Sequence, residues 1–215
     1  MEGFLVRAFL SNELKIKAIG FPGFGESSGI PVHGMAEAIL IRKNMSKFAT
    51  LQTLYAHELQ EVYHLELQLA AAVAEMERAA TDENLKKAFY DHGVETQQHL
   101  ERLKEIFNDL GLEPSVGSWE IQRDRAEECR EMAEEPGEPH VKDAALVAWA
   151  QRAEHEEIGA YGTLRTFARH LGHGKHAALL ADTLEEEEAA DKKLTRLAEG
   201  DWFRQGINRE AAAIH

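Results

Sequence analysis

Residues 85–110 read LKKAFYDHGVETQQHLERLKEIFNDL, and the period of their apolar positions decides the fold. Steps of three and four residues return to one side of an α-helix. At that spacing the stretch yields Leu85, Phe89, His92, Glu95, His99, Leu103, Ile106 and Leu110, an apolar stripe broken at its middle by three polar groups. Gly111 and then Pro114 supply the stop signal of a helix C-terminus.

Working outward, helix-forming residues dominate from position 47 onward, with few β-branched clusters. A first helix is expected over residues 47–79, stopping near Thr81 and Asp82, and the second runs on to Leu110. A shorter helix over 119–134 fills a crossover that ends at Pro136, Gly137 and Pro139. A third long helix spans 141–170 and breaks at Gly172 and Gly174; a fourth spans 175–199 and ends at Gly200. Two helical hairpins joined by one long connection define an all-α, four-helix bundle with a crossover. Residues 1–46 read differently: five glycines from Gly20 to Gly34, with Pro22 and Pro31, interrupt any helical period, so an N-terminal extension, flexible or arm-like, is expected there. Residues 47–200 form the bundle, and 201–215 a C-terminal tail.

The chain has 215 residues, 24 Lys plus Arg against 38 Asp plus Glu, a formal charge of −14, and 44% apolar residues. One domain with a real core fits that length. An acidic surface without a basic block repels phosphate backbones and anionic lipid, so neither nucleic acid nor membrane is an expected partner. Cys129 is the single cysteine and cannot form an intrachain disulfide, which suits a reducing, cytoplasmic setting. The first ten residues do not read as a secretory signal, and no run approaches the ~18 apolar residues of a membrane span.

The same stripe reading on the other long helices finds acid at the same level. The first gives Leu54 or Tyr55, Glu58, Val62, Leu65 or Glu66, Leu69, Val73 and Met76. The third gives Val147, Ala150, Glu154, Glu157, Tyr161, Leu164 and Ala168, and the fourth Ala177, Leu180, Leu184, Glu187, Asp191 and Leu194. The two halves resemble repeats: Glu66 precedes Glu95 by 29 positions with His99 four later, and Glu157 precedes Glu187 by 30 with Asp191 four later. Converging buried carboxylates repel one another and cost several kcal/mol each unless protonated or neutralised. Metal cations neutralise them economically, and hard oxygen with imidazole nitrogen suits iron or manganese. Glu66, Glu95, His99, Glu154, Glu157, Glu187 and Asp191 are therefore the candidate ligands. Glu58 is expected to reach solvent, His92 to cap or support, His155 to sit outside, and the run Glu185 to Glu188 to face water except at Glu187.

Tyr63-His64-Leu65-Glu66-Leu67-Gln68, Glu154-His155-Glu156-Glu157-Ile158, Ala160-Tyr161-Gly162-Thr163-Leu164 and Thr183-Leu184-Glu185-Glu186-Glu187 carry a resemblance to the YciE/YciF family of ferritin-like proteins, over roughly residues 50–199. The resemblance implies a ferritin-like bundle with a dinuclear, iron-bearing centre, in a family linked to stress responses. The chain departs from the usual pattern at Val94, Glu156 and Glu188. It also lacks the Glu-x-x-His spacing of other di-iron bundles, since Gln98 and Ala190 occupy those positions.

The expected function is a di-iron or di-manganese oxidoreductase acting on dioxygen or hydrogen peroxide, with two iron ions (alternatively manganese) as cofactor. Tyr161 would pass an electron or donate a hydrogen bond. The alternatives are a non-catalytic iron-binding stress protein and a metal-free helical interaction module. A homodimer is expected because Leu59, Leu67 and Ala71 extend the apolar surface of the first helix beyond its core stripe.

Overall fold

The computed structural model describes residues 48–114, 125–200, 202 and 205–214. The expected extension over 1–46 and the start of the crossover helix at Trp119 lie outside the described residues. The helices are α1 (Leu51–Ala79), α2 (Glu83–Leu110), α3 (Arg125–Glu134), α4 (Pro139–His170), α5 (Gly174–Glu199) and α6 (Ile207–Ala212). Among the described residues there is no β-strand, only an isolated antiparallel bridge between Gly200 and Gln205. No described helix is long and apolar enough to cross a membrane.

Each boundary has a local cause. Thr50 and Thr53 form a reciprocal capping box at the start of α1, which satisfies backbone N–H groups that the first turn leaves orphaned. Asp82 caps α2 by accepting from the N–H groups of Asn84 and Leu85. At the other end Gly111 adopts φ 62°, and Leu112 N–H donates to Phe107 O, closing α2 in the left-handed manner glycine allows. Helix α4 starts two residues earlier than the apolar period indicated, because Pro139 occupies its first turn, where a missing N–H costs nothing.

The hairpins α1–α2 and α4–α5 pack on one another through α1 with α4 and α2 with α5, while α3 lies against α1. A buried carboxylate fixes the register of the first hairpin: Asp143 of α4 accepts from Thr81 N–H at 2.7 Å, Thr81 hydroxyl at 2.6 Å and Asp82 N–H at 2.9 Å. The segment expected as a tail carries α6, which packs on α4 and α5 and buries Ile207. Leu59, one of three residues behind the dimer expectation, is fully buried in the chain's own core, so only Leu67 and Ala71 of that set reach the surface.

Candidate metal centre

Among the described residues the apolar core forms two clusters, and every long helix contributes to both. Along α2, Leu85 and Phe89 belong to one cluster and Leu103, Ile106 and Phe107 to the other. The stretch between them holds buried His92, Thr96 and His99. On α4 the change comes between Ala153 and Tyr161, across Glu154 and Glu157; on α5 it comes between Leu184 and Leu194, across Glu187. On α1, Val62 faces one cluster and Leu65 the other, with Glu66 beside them. A polar layer thus divides the bundle at mid-height, built from one buried acid or imidazole set per helix.

The layer brings ligand-type atoms together in two groups: His92, Glu154, Glu157 and Glu187 in one, and Glu66, His99 and Glu187 in the other, with atoms in each group within 4.8 Å of one another. Glu187 belongs to both. Its Oε1 is 3.0 Å from His99 Nδ1 and its Oε2 is 4.0 Å from His92 Nδ1. His99 Nδ1 also lies 3.4 Å from Glu66 Oε1, and His92 Nε2 3.5 Å from Glu154 Oε1. Despite this crowding, Glu66 Oε2, His92 Nδ1, His99 Nδ1, Glu154 Oε2, Glu157 Oε1 and both Glu187 oxygens have no hydrogen-bond partner among the described residues. Buried polar atoms are nearly always paired, so seven orphans at one level mark a place where a proton or a cation would relieve the charge. Oxygen and imidazole nitrogen donors so arranged fit first-row metal cations, and sulfur is not among them.

The electrostatics agree. Burial pushes Glu154 up to about 8, the His92 charge opposing and the Glu187 charge reinforcing. Burial also drives Glu157 well above the usual carboxylate range, with Glu187 and Glu66 adding to it. For the imidazoles burial works downward but loses: the nearby Glu95, Glu154 and Glu187 carboxylates raise His92 to about 9. Glu187 and Glu66 likewise raise His99 to about 10. Protons are taken up where cations would serve, because both relieve the same excess of negative charge in a poorly solvated layer.

Surrounding residues hold this layer in place. His99 donates from Nε2 to Glu186 Oε2 at 2.9 Å, which leaves Nδ1 facing Glu66 and Glu187. Arg102 grips both oxygens of Glu186 and donates to Thr183 Oγ1 at 3.0 Å. A carboxylate behind a ligand imidazole fixes its tautomer and orientation. Tyr161 donates its hydroxyl hydrogen to Glu66 Oε1, and its ring meets His99 edge-on at 6.1 Å between centroids.

Of the residues singled out from sequence, the structure brings together Glu66, His99, Glu154, Glu157 and Glu187, with Tyr161 against Glu66. Glu95 stands outside both groups, its side chain 41% exposed and 3.8 Å from His92. Asp191 is also outside them, 21% exposed and 3.3 Å from the exposed His155. His92, expected to play a supporting part, has a nitrogen within the four-residue group. Glu186, assigned to the solvated face, is the support of His99. The signal for that role was Arg102, three residues after His99 on α2 and so on the same side, which calls for a carboxylate from the facing helix.

The four-helix arrangement with a crossover helix and an internal polar layer is that of a ferritin-like bundle. The chain belongs to the family described as a domain of unknown function, DUF892, whose match spans residues 50–212. It is 40% identical over 161 residues to protein YciF of Escherichia coli strain K12, covering 74% of this chain and 97% of that one. Among solved structures it is similar to the E. coli stress protein YciF, with TM-score 0.59, 38% identity, and coverage of 70% of this chain and 95% of that chain. It is also similar to YcfI of Rhodopseudomonas palustris, with TM-score 0.63, 36% identity, and coverage of 72% and 99%.

Proposed function

We propose that the polar layer holds two metal ions, iron or alternatively manganese, and that the protein is an oxidoreductase acting on dioxygen or hydrogen peroxide in a stress response. The observation that carries this reading is the set of seven buried, unpartnered donor atoms contributed by Glu66, His92, His99, Glu154, Glu157 and Glu187. When bound there, a pair of redox-active ions supplies the electrons that such an oxidant accepts. Glu187 would be shared between the two positions, Glu66 and His99 would complete one, and His92, Glu154 and Glu157 the other. Tyr161 has a hydroxyl whose pKa burial and the Glu66 charge raise well above its usual value, so it stays protonated and holds its hydrogen bond to Glu66 on that side of the site. A role in stress accords with the description of E. coli YciF as a stress protein.

The test is metal analysis of protein purified from iron- and manganese-supplemented growth, followed by a peroxide turnover assay. About two ions per chain with turnover supports the reading; metal-free protein from such growth ends it. Metal retained without turnover would favour a non-catalytic iron-binding protein.

We also propose that two copies associate through the α1–α2 hairpin, on which Leu67 of α1 and Tyr90 and Val94 of α2 are exposed apolar side chains. Light scattering at micromolar concentration should give a dimer mass; a monomer mass would contradict it.

A further inference from the structure

Beside His92, Glu154 and Glu157 lies a cavity of about 100 Å³, lined by α1, α2, α4 and α5 and open to solvent on one side. Its inner wall is apolar, formed by residues such as Met76, Phe89, Trp149 and Ala150, and its polar end is the candidate ligand group itself. Its outer rim includes Glu95, Ala189 and Lys193, all reaching solvent, with Lys193 held by an ion pair to Asp91 across the α2–α5 seam at 2.9 Å.

Size limits what can occupy it. An apolar protein cavity of ~150 Å³ accepts benzene, and a water molecule takes ~30 Å³. A chamber of about 100 Å³ therefore admits a molecule of a few heavy atoms and not an aromatic ring. The small side chains of Ala150 and Ala153, both buried on α4, keep that space open; a branched side chain at either would fill it. Met76 limits the opposite wall.

We infer that this cavity is the substrate chamber of the proposed centre and acts as a size filter, admitting dioxygen or hydrogen peroxide and excluding bulky organic hydroperoxides, with Ala150 and Met76 setting its dimensions. The inference rests on the functional reading above for its substrate, but not for the chamber.

The two are therefore tested separately. Crystals of the purified protein pressurised with xenon should show a xenon atom between Phe89, Trp149 and Glu157, and Ala150→Leu should abolish it; a wild-type chamber that takes no xenon overturns the inference. In turnover assays of the metal-loaded protein, hydrogen peroxide should exceed cumene hydroperoxide by at least about tenfold. Met76→Ala, which enlarges the chamber, should narrow that gap. Similar rates for both peroxides in the wild type, or a gap that Met76→Ala leaves unchanged, overturn the filter. Protein that binds xenon as expected but turns over neither peroxide overturns the functional reading and the substrate assignment with it, while the chamber stands.

Discussion

His99 Nδ1 sits 3.0 Å from Glu187 Oε1 with both side chains fully buried, yet neither atom is aligned for a hydrogen bond. Both atoms are buried without a partner among the described residues, and a cation at the proposed position would satisfy both. The other oxygen of Glu187 lies 4.0 Å from His92 Nδ1, so one carboxylate stands between the two halves of the layer.

If Glu186 orients His99, removing its carboxylate should weaken metal binding without unfolding the bundle. Glu186→Ala is expected to lower affinity about 10- to 100-fold, the usual effect of losing such an outer partner. Competition with a coloured chelator measures this, and circular dichroism checks the fold. Unchanged affinity would show that packing alone orients the imidazole.

Tyr161→Phe removes a buried hydroxyl that donates to Glu66. The metal-free protein should lose about 1–3 kcal/mol of stability as the acceptor is left unpaired. Metal content should remain, while peroxide turnover and any tyrosyl radical signal in electron paramagnetic resonance should fall. Unaltered turnover would confine Tyr161 to packing.

Asp143 separates the fold from the site. Asp143→Ala strips three donors of the α1–α2 turn of their acceptor and should cost about 3 kcal/mol in urea denaturation. Metal stoichiometry of the folded variant should be unchanged, since Asp143 stands in neither ligand group. Loss of metal together with stability would mean that the hairpin register also sets the site.

Stability of the metal-free protein should fall as pH rises, while the stabilisation that metal confers should grow. In the metal-free protein Glu154 is raised from 4.5 to about 8, so the folded chain holds more protons than the unfolded one across that window and loses stability as pH rises through it. His92 and His99 are raised from 6.5 to about 9 and about 10. Their contribution is complete below 6.5 and is lost as pH passes through those raised values. All three act in the same direction. Metal binding requires ionised carboxylates and free imidazole nitrogens, so the rise in Tm that metal confers should be larger at about pH 8.5 than at about pH 6. An equal rise at both values would show that these carboxylates are not the ligands.

The bundle was legible because its signals are local. Apolar period, Gly111, Gly200 and the Pro-Gly break before α4 each act within a turn or two, and the helices end where those residues stand. The level of the polar layer was legible too, since a buried acid violates the stripe wherever it occurs. Which residue at that level turns inward was not. Glu95 and Asp191 share the period of the stripe but lie at its edge: Glu95 turns partly towards water, and Asp191 turns towards His155 of α4, away from both groups. His92 occupies the inward position one turn before Glu95. Glu186 was hidden because its role depends on Arg102 from another helix, a pairing that only the packing of α2 on α5 creates. Helix α6 was hidden by its six-residue length, too short for a periodic signal.

Anomalous scattering at the iron and manganese absorption edges, from crystals of protein grown with both metals, tests the central claim most directly. Two peaks are expected, both against Glu187: one beside Glu66 and His99, the other beside His92, Glu154 and Glu157. No peak in the polar layer, or a single peak against Glu95 and Asp191 at its edge, would contradict it.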